Sequence, residues 1–204
     1  MKIKIIIFDQ DGTLYPKNHK LYRDTRKLTK KWISKSLKIP LEDVEKIYKE
    51  LAIQYPNPYI GFQSLGLSVE EYMNNVFDKI EPENYLQYNL IIHDYFQNSK
   101  CKKILITFAS PKYTKKLQKK LEIEEFYDEI LYVKDFKSYN KKECYEEIVN
   151  KYKVNNKEIL VIGDSYVNDI KPAIELGCQT IFISQNGDFD NIESFIKNEG
   201  LKNE

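Results

Sequence analysis

Residues 5–16 read IIIFDQDGTLYP. Four apolar residues in succession, Ile5 to Phe8, fit a strand covered on both faces. The run stops at two carboxylates, Asp9 and Asp11, followed by Gly12 and Thr13. At an extended strand end, residues two apart share a face, so both carboxylates can reach one bound group. A capped turn would also account for this stretch taken alone. The decision rests on whether other strand ends supply partners.

Four more short apolar runs follow, Ile104–Phe108, Ile130–Val133, Ile159–Ile162 and Thr180–Ile183, and the first strand is read as Lys4–Phe8. Rich in Ile, Leu, Val and Phe with little alternation, they match parallel strands buried on both faces. Helical patterns separate the last four. SPKYTKKLQKKL opens with Ser110 as N-cap and Pro111 at the first helical position. NKKECYEEIVNKY has Asn140 with Glu143 three residues later, a loose capping box. NDIKPAIELG ends at Gly177, a C-terminal cap. The alternation predicts an α/β fold with a parallel sheet.

Residues 17–100 break that alternation. They hold no convincing strand and four amphipathic helical patterns, at 22–37, 41–55, 68–80 and 84–96. The proline-bearing YPNPYIGFQSLGLS, 55–68, reads as a loop between two halves. The segment is expected to be a helical cap inserted between strands one and two. That gives a core of residues 1–16 and 101–204 and a cap of 17–100.

A chain of 204 residues suits one good-sized domain, or a core domain with a smaller insert, and 42% hydrophobic residues permit a packed core. The net charge of +1 gives no global field to draw nucleic acid or an anionic membrane. Cys101, Cys144 and Cys178 are far apart, and His19 and His93 are the only histidines, so a zinc site is not expected. An odd cysteine count without a framework fits a reducing compartment. No stretch approaches a membrane span, and Asp9 interrupts the first apolar run too early for a leader. The expectation is a cytoplasmic protein with neither nucleic acid nor membrane as partner. Oligomeric state stays open.

Four segments fall at or just beyond predicted strand ends: Asp9–Thr13, Thr107 within ILITFAS, the lysine-rich KDFKSYNKKE, and Gly163-Asp164-Ser165 with Asn168-Asp169. In an open parallel sheet the C-terminal edge is where ligand sites form. Acidic residues from two strands meeting there would collect a hard cation such as Mg²⁺. A hydroxyl and an ammonium at the same edge suit a phosphate.

In order along the chain, FDQDGTL, LITFAS and VIGDSYVND resemble the first, second and fourth motifs of the haloacid dehalogenase-like (HAD) hydrolases. The resemblance implies a Rossmann-like sheet of order 5-4-1-2-3. It makes Asp9 the nucleophile and Asp11 the acid that protonates the leaving oxygen and then activates water. It implies a Mg²⁺ bound by Asp9, Asp164 and the backbone carbonyl of Asp11, with Asp169 supporting them. Thr107, with Ser110 close by, would meet the phosphoryl group, and a third-motif lysine would neutralise charge. The Lys-Pro pair common at that motif is absent. Lys141, on the first turn of a helix, and Lys137, nearer the usual Lys-Pro position, both qualify, with a lean to Lys141.

Among activities of this family, Asp11 argues against a dehalogenase, which has no leaving alcohol to protonate. The pump signature D-K-T-G-T is absent. The resemblance therefore implies a magnesium-dependent phosphomonoester hydrolase that acts through an aspartyl-phosphate on a small phosphorylated metabolite. DGTLYP followed by long helices and an aromatic mid-cap loop most resembles the pyrimidine 5′-nucleotidase branch. That suggests nucleoside 5′-monophosphates, with Tyr59 and Phe62 binding the substrate. The alternatives are a phosphoglycolate- or sugar-phosphate-type phosphatase, a phosphomutase, or a non-catalytic phospho-ligand-binding relative.

Overall fold

The computed structural model describes residues 2–15, 17, 19–86 and 90–183. Positions 87–89 of the fourth predicted cap helix and 184–204 of the predicted core lie outside the described residues. The five strands are β1 (Ile5–Phe8), β2 (Lys102–Thr107), β3 (Glu129–Tyr132), β4 (Ile159–Gly163) and β5 (Gln179–Phe182). They form one parallel sheet in the order β3-β2-β1-β4-β5, which is the expected order read from the other edge.

β1 is central, and its sequence says why. Ile5 and Ile7 pack on one face with Ile104, Ile106, Ile159 and Val161. Ile6 and Phe8 pack on the other with Leu105, Leu160 and Ile162. A strand buried on both sides has no polar face to show. Phe8 stands opposite Leu105 of β2 and Ile162 of β4, and the Asp9 amide donates to the Ile162 carbonyl at 2.9 Å. Asp9 is thus delivered to the middle of the C-terminal sheet edge.

Between β1 and β2 lie α1 (Lys20–Leu37), α2 (Leu41–Gln54), α3 (Pro58–Ser64), α4 (Val69–Asn75) and α5 (Leu90–Asn98). The predicted loop at 55–68 contains α3, which corrects the sequence reading. The Asn57 side chain accepts from the amides of Tyr59 and Ile60, and Pro58 opens the helix. Both are helix-start signals that the loop reading discounted. Rings of Trp32, Phe62 and Tyr72 form a cluster at centroid separations of 4.7 to 5.3 Å, continuous with the core on the Phe8 face of the sheet. α5 instead covers the sheet, with Phe96 stacked 4.9 Å from Phe8.

After β2 come α6 (Pro111–Leu121), α7 (Lys141–Tyr152) and α8 (Lys171–Glu175). Tyr113 and Leu117 of α6 join the face of Phe8, whereas Tyr145 and Ile148 of α7 and Ala173 of α8 join the face of Ile5 and Ile7. A π-helical turn, Tyr166–Ile170, leads into α8. Among the described residues, no helix is long and apolar enough to cross a membrane.

Candidate active site

The chain leaves β1 through a tight turn. Gly12 adopts φ +98°, and a Cβ there would overlap the Asp164 carboxylate. Its place is fixed both by backbone conformation and by the closeness of β4. The turn aims Asp9 at α7 and β4. Thr13 Oγ1 donates to Asp9 Oδ2 at 3.0 Å. Lys141 Nζ donates to Asp9 Oδ1 at 2.5 Å and to Asp169 Oδ1 at 2.7 Å.

Lys141 is the first residue of α7, and Asn140 caps that helix by accepting from the Lys142 amide. Its side chain is only 1% exposed. Burial pulls the ammonium pKa down, but the Asp169 and Asp9 carboxylates outweigh it and hold it above the usual lysine range. Lys137 is exposed and lies away from this cluster, beside Glu143 and Glu147. Of the two candidate lysines, Lys141 is the one the structure brings to the Asp9 and Asp169 carboxylates.

The end of β4 brings Asp164 and Asp169. Lys17 Nζ pairs with Asp164 Oδ2 at 2.6 Å and donates to the Asp164 carbonyl at 3.2 Å. Asp169 Oδ2 accepts from the Ser165 amide at 2.8 Å, which fixes the loop into the π-helical turn. A Cβ on Gly163 would run into the Asp169 side chain, so that glycine allows the close approach. One carboxylate oxygen each from Asp9, Asp164 and Asp169 lies within 4.8 Å of the others. Burial, then the charge of Asp9, pushes the Asp164 carboxyl up to about 7 against the pull of Lys17.

Asp11 faces the other way. Its Oδ1 accepts from Tyr15 and, at 3.0 Å, from Tyr113, while Gln10 Nε2 donates to Oδ2 at 3.2 Å. Burial pushes the Asp11 carboxyl up to about 6. The charge of Asp9 adds to burial, and the hydrogen bonds from Tyr15, Tyr113 and Gln10 oppose it.

The remaining predicted residues divide. Thr107 is buried at the end of β2, and its Oγ1 accepts from the Ala109 amide at 3.0 Å, leaving the hydroxyl proton to donate elsewhere. Ser110 caps α6 through the Tyr113 amide and donates to Asp78 Oδ1 at 2.5 Å. Its hydroxyl is therefore committed to joining α6 to the inserted segment. Tyr59 is fully buried among Phe108, Tyr139 and Tyr72, and Phe62 is 1% exposed against Trp32 and Tyr72. Neither is among the residues that line the cavity beside the carboxylates. Both rings belong to the core cluster that runs from the helices between β1 and β2 onto the face of Phe8.

That cavity has a volume of about 230 Å³. Asp9, Asp11, Lys141 and Asp164 line it together with Tyr22, Thr25 and Arg26 of α1, Tyr48 of α2 and Tyr72 of α4. The Arg26 guanidinium lies 5.1 Å from the centre of the Tyr48 ring. Sequence reasoning missed Lys17, Tyr113 and the Arg26–Tyr48 pair. Lys17 is 147 residues from Asp164 and Tyr113 is 102 from Asp11, so no local spacing signals either contact.

A family model for haloacid dehalogenase-like hydrolases matches residues 3–177. A HAD phosphatase from Thermococcus onnurineus superposes with a TM-score of 0.61 at 19% identity, covering 91% of this chain and 88% of that one. The Bacillus subtilis protein YfnB, in a structure bound to magnesium, gives 0.63 at 15% identity over 97% of this chain and 100% of that one. L-2-haloacid dehalogenase from Xanthobacter autotrophicus gives 0.52 at 13% identity over 96% and 83%. At these identities the structural likeness speaks to the fold.

Proposed function

The chain belongs to the haloacid dehalogenase-like hydrolase family, and from that membership we propose that it is a magnesium-dependent phosphomonoester hydrolase working through an aspartyl-phosphate. The observation that carries the reading is Asp11: a carboxyl two residues beyond the nucleophile, turned away from the acidic cluster and with its pKa raised to about 6. A group in that state gives up a proton readily near neutrality. Hydrolysis of a halogenated acid has no use for one, because halide leaves without protonation.

In this reading Asp9 attacks phosphorus as the bond to the leaving oxygen breaks, and Asp11 delivers its proton to that oxygen. Water then attacks the aspartyl-phosphate, Asp11 takes the water's proton, and Asp9 is released with inorganic phosphate. Lys141 stays protonated throughout and offsets charge on Asp9 and on the phosphoryl oxygens. Thr107 donates its hydroxyl proton to a phosphoryl oxygen.

The donor set suits a hard divalent cation. Among the described residues, Asp9, Asp164 and Asp169 form ion pairs with Lys17 and Lys141, and burial, then the charge of Asp9, raises the Asp164 carboxyl. Asp9, Asp164 and the Asp11 carbonyl would hold Mg²⁺, with Asp169 behind them. When bound, it neutralises charge on the phosphoryl group.

The substrate in this reading is a small phosphomonoester, with nucleoside 5′-monophosphates placed first. Tyr22, Tyr48 and Tyr72 line the cavity, where Tyr59 and Phe62 do not, and aromatic side chains there suit a nucleobase. A second reading, a phosphoglycolate- or sugar-phosphate-type substrate, is favoured by Arg26. This residue lines the cavity and, among the described residues, forms no ion pair, so its fork is free for an anionic group on the leaving side. Hydrolysis of p-nitrophenyl phosphate with Mg²⁺, its loss in EDTA and its return on adding Mg²⁺ test the activity. A panel of phosphomonoesters separates the two substrate readings. Release of halide from 2-chloropropionate without any phosphatase activity would overturn the proposal.

A further inference from the structure

Asp11 must do two things that conflict. It has to sit two residues from Asp9, and it has to stay off the cluster of Asp9, Asp164 and Asp169. Backbone alternation does not accomplish this, because at an extended strand end residues two apart share a face. The structure contains a separate device for turning Asp11 aside. The loop folds back on itself, with Asp11 bridged to Tyr15, and brings the Tyr15 hydroxyl onto Asp11 Oδ1. Tyr113, from the first turn of α6, reaches the same oxygen at 3.0 Å. The two hydroxyls are themselves 3.0 Å apart. Tyr15 is 4% exposed and Tyr113 0%, so neither phenol has water to fall back on.

Tyr113 is held firmly. Its amide donates to Ser110 Oγ, its ring packs 5.2 Å from Phe77, and Pro111 starts the helix two residues before it. We propose that Tyr113, acting with Tyr15, is the positioning residue that holds the Asp11 carboxyl away from the acidic cluster and toward the leaving oxygen. Neither tyrosine touches the reacting phosphorus; both act through Asp11. The inference rests on the phosphatase reading. It goes beyond it by assigning the orientation of the acid to a pair of phenols joined from two segments of the chain.

The test is the dependence of turnover on the leaving group. Tyr113→Phe keeps the ring and removes only the hydroxyl. A general acid matters most when the leaving oxygen is basic, where it contributes on the order of 10²–10⁴-fold. The loss in kcat should therefore be at least about tenfold greater for an alkyl phosphate than for p-nitrophenyl phosphate, within the range such acids supply. Tyr15→Phe should show the same selective loss, which keeps the test alive if one variant folds poorly. In an Asp11→Asn background, adding Tyr113→Phe should change the ratio of the two rates no further, as expected for residues acting as one unit. Equal losses for both substrates would mark the tyrosines as packing alone and overturn the inference while leaving the phosphatase standing. A wild-type chain that hydrolyses neither substrate overturns the proposed function and this inference with it.

Discussion

The ammonium of Lys141 lies 2.5 Å from a carboxylate oxygen of Asp9, a residue 132 positions earlier in the chain. The same nitrogen reaches Asp169 at 2.7 Å, so one buried cation ties β1, α7 and the loop after β4 together. Lys141→Met removes the cation and leaves two buried carboxylates facing each other. Turnover should fall by about two orders of magnitude or more, the scale of losing one preorganised charge partner. Unfolding free energy should fall by roughly 3–5 kcal/mol, as when one partner of a buried pair is removed. Lys137→Met, at an exposed position, should change both only marginally. Urea unfolding and p-nitrophenyl phosphate assays on the two variants check this; a silent Lys141→Met contradicts it.

Asp11 makes stability depend on pH. Its folded-state pKa of about 6 exceeds the ordinary 3.8, so the folded chain binds this proton more tightly than the unfolded chain does. Below about pH 4 the carboxyl is protonated in both states and there is no difference. As pH rises from about 4 through about 6, the folded state has to accept a carboxylate in a half-buried place and loses stability, on the order of 1–3 kcal/mol. Asp11→Asn should therefore raise Tm by several degrees at pH 7.5, with the gain fading near pH 4. Thermal unfolding at the two pH values decides, and an equal gain at both would contradict the assignment.

Gly12→Ala should be severe. The position combines φ +98° with a Cβ direction filled by the Asp164 carboxylate. Relief requires moving the Asp9–Thr13 turn or Asp164, both of which belong to the proposed site. The expected result is a stability loss of roughly 1–3 kcal/mol from the strained backbone, with activity reduced further by the displaced carboxylate. Retention of wild-type turnover would show that the turn is not as tightly set as the geometry demands.

Tyr59 offers a contrasting case. It is fully buried, and its hydroxyl has no hydrogen-bond partner among the described residues. An unpaired buried hydroxyl costs about 1–3 kcal/mol, so Tyr59→Phe should leave stability unchanged or increase it, and KM should not move. A raised KM for nucleotides would return Tyr59 to the substrate surface.

The five strands were legible because burial on both faces leaves a continuous apolar signature, and all five form within two residues of their expected bounds. Asp9, Asp11, Asp164 and Asp169 were legible because strand ends concentrate them at one sheet edge. α3 was hidden by the density of prolines and glycines in 55–68, although Asn57-Pro58 is itself a helix start. The burial of Tyr59 was not legible, because an aromatic residue has the same sequence appearance whether it packs or binds. Tyr113 and Lys17 were invisible for a different reason: each looks like an ordinary residue of a helix or loop, and only the tertiary fold brings it to a carboxylate.

In the proposed mechanism Asp9 carries the phosphoryl group during turnover. Incubating the protein with radiolabelled phosphomonoester and Mg²⁺, quenching in acid and mapping the label to a peptide tests this most directly. The account predicts label on the peptide containing Asp9, none in Asp9→Asn, and persistence of the label in Asp11→Asn when the leaving group is a good one. Steady turnover with no label at Asp9, or turnover that survives Asp9→Asn, would contradict it.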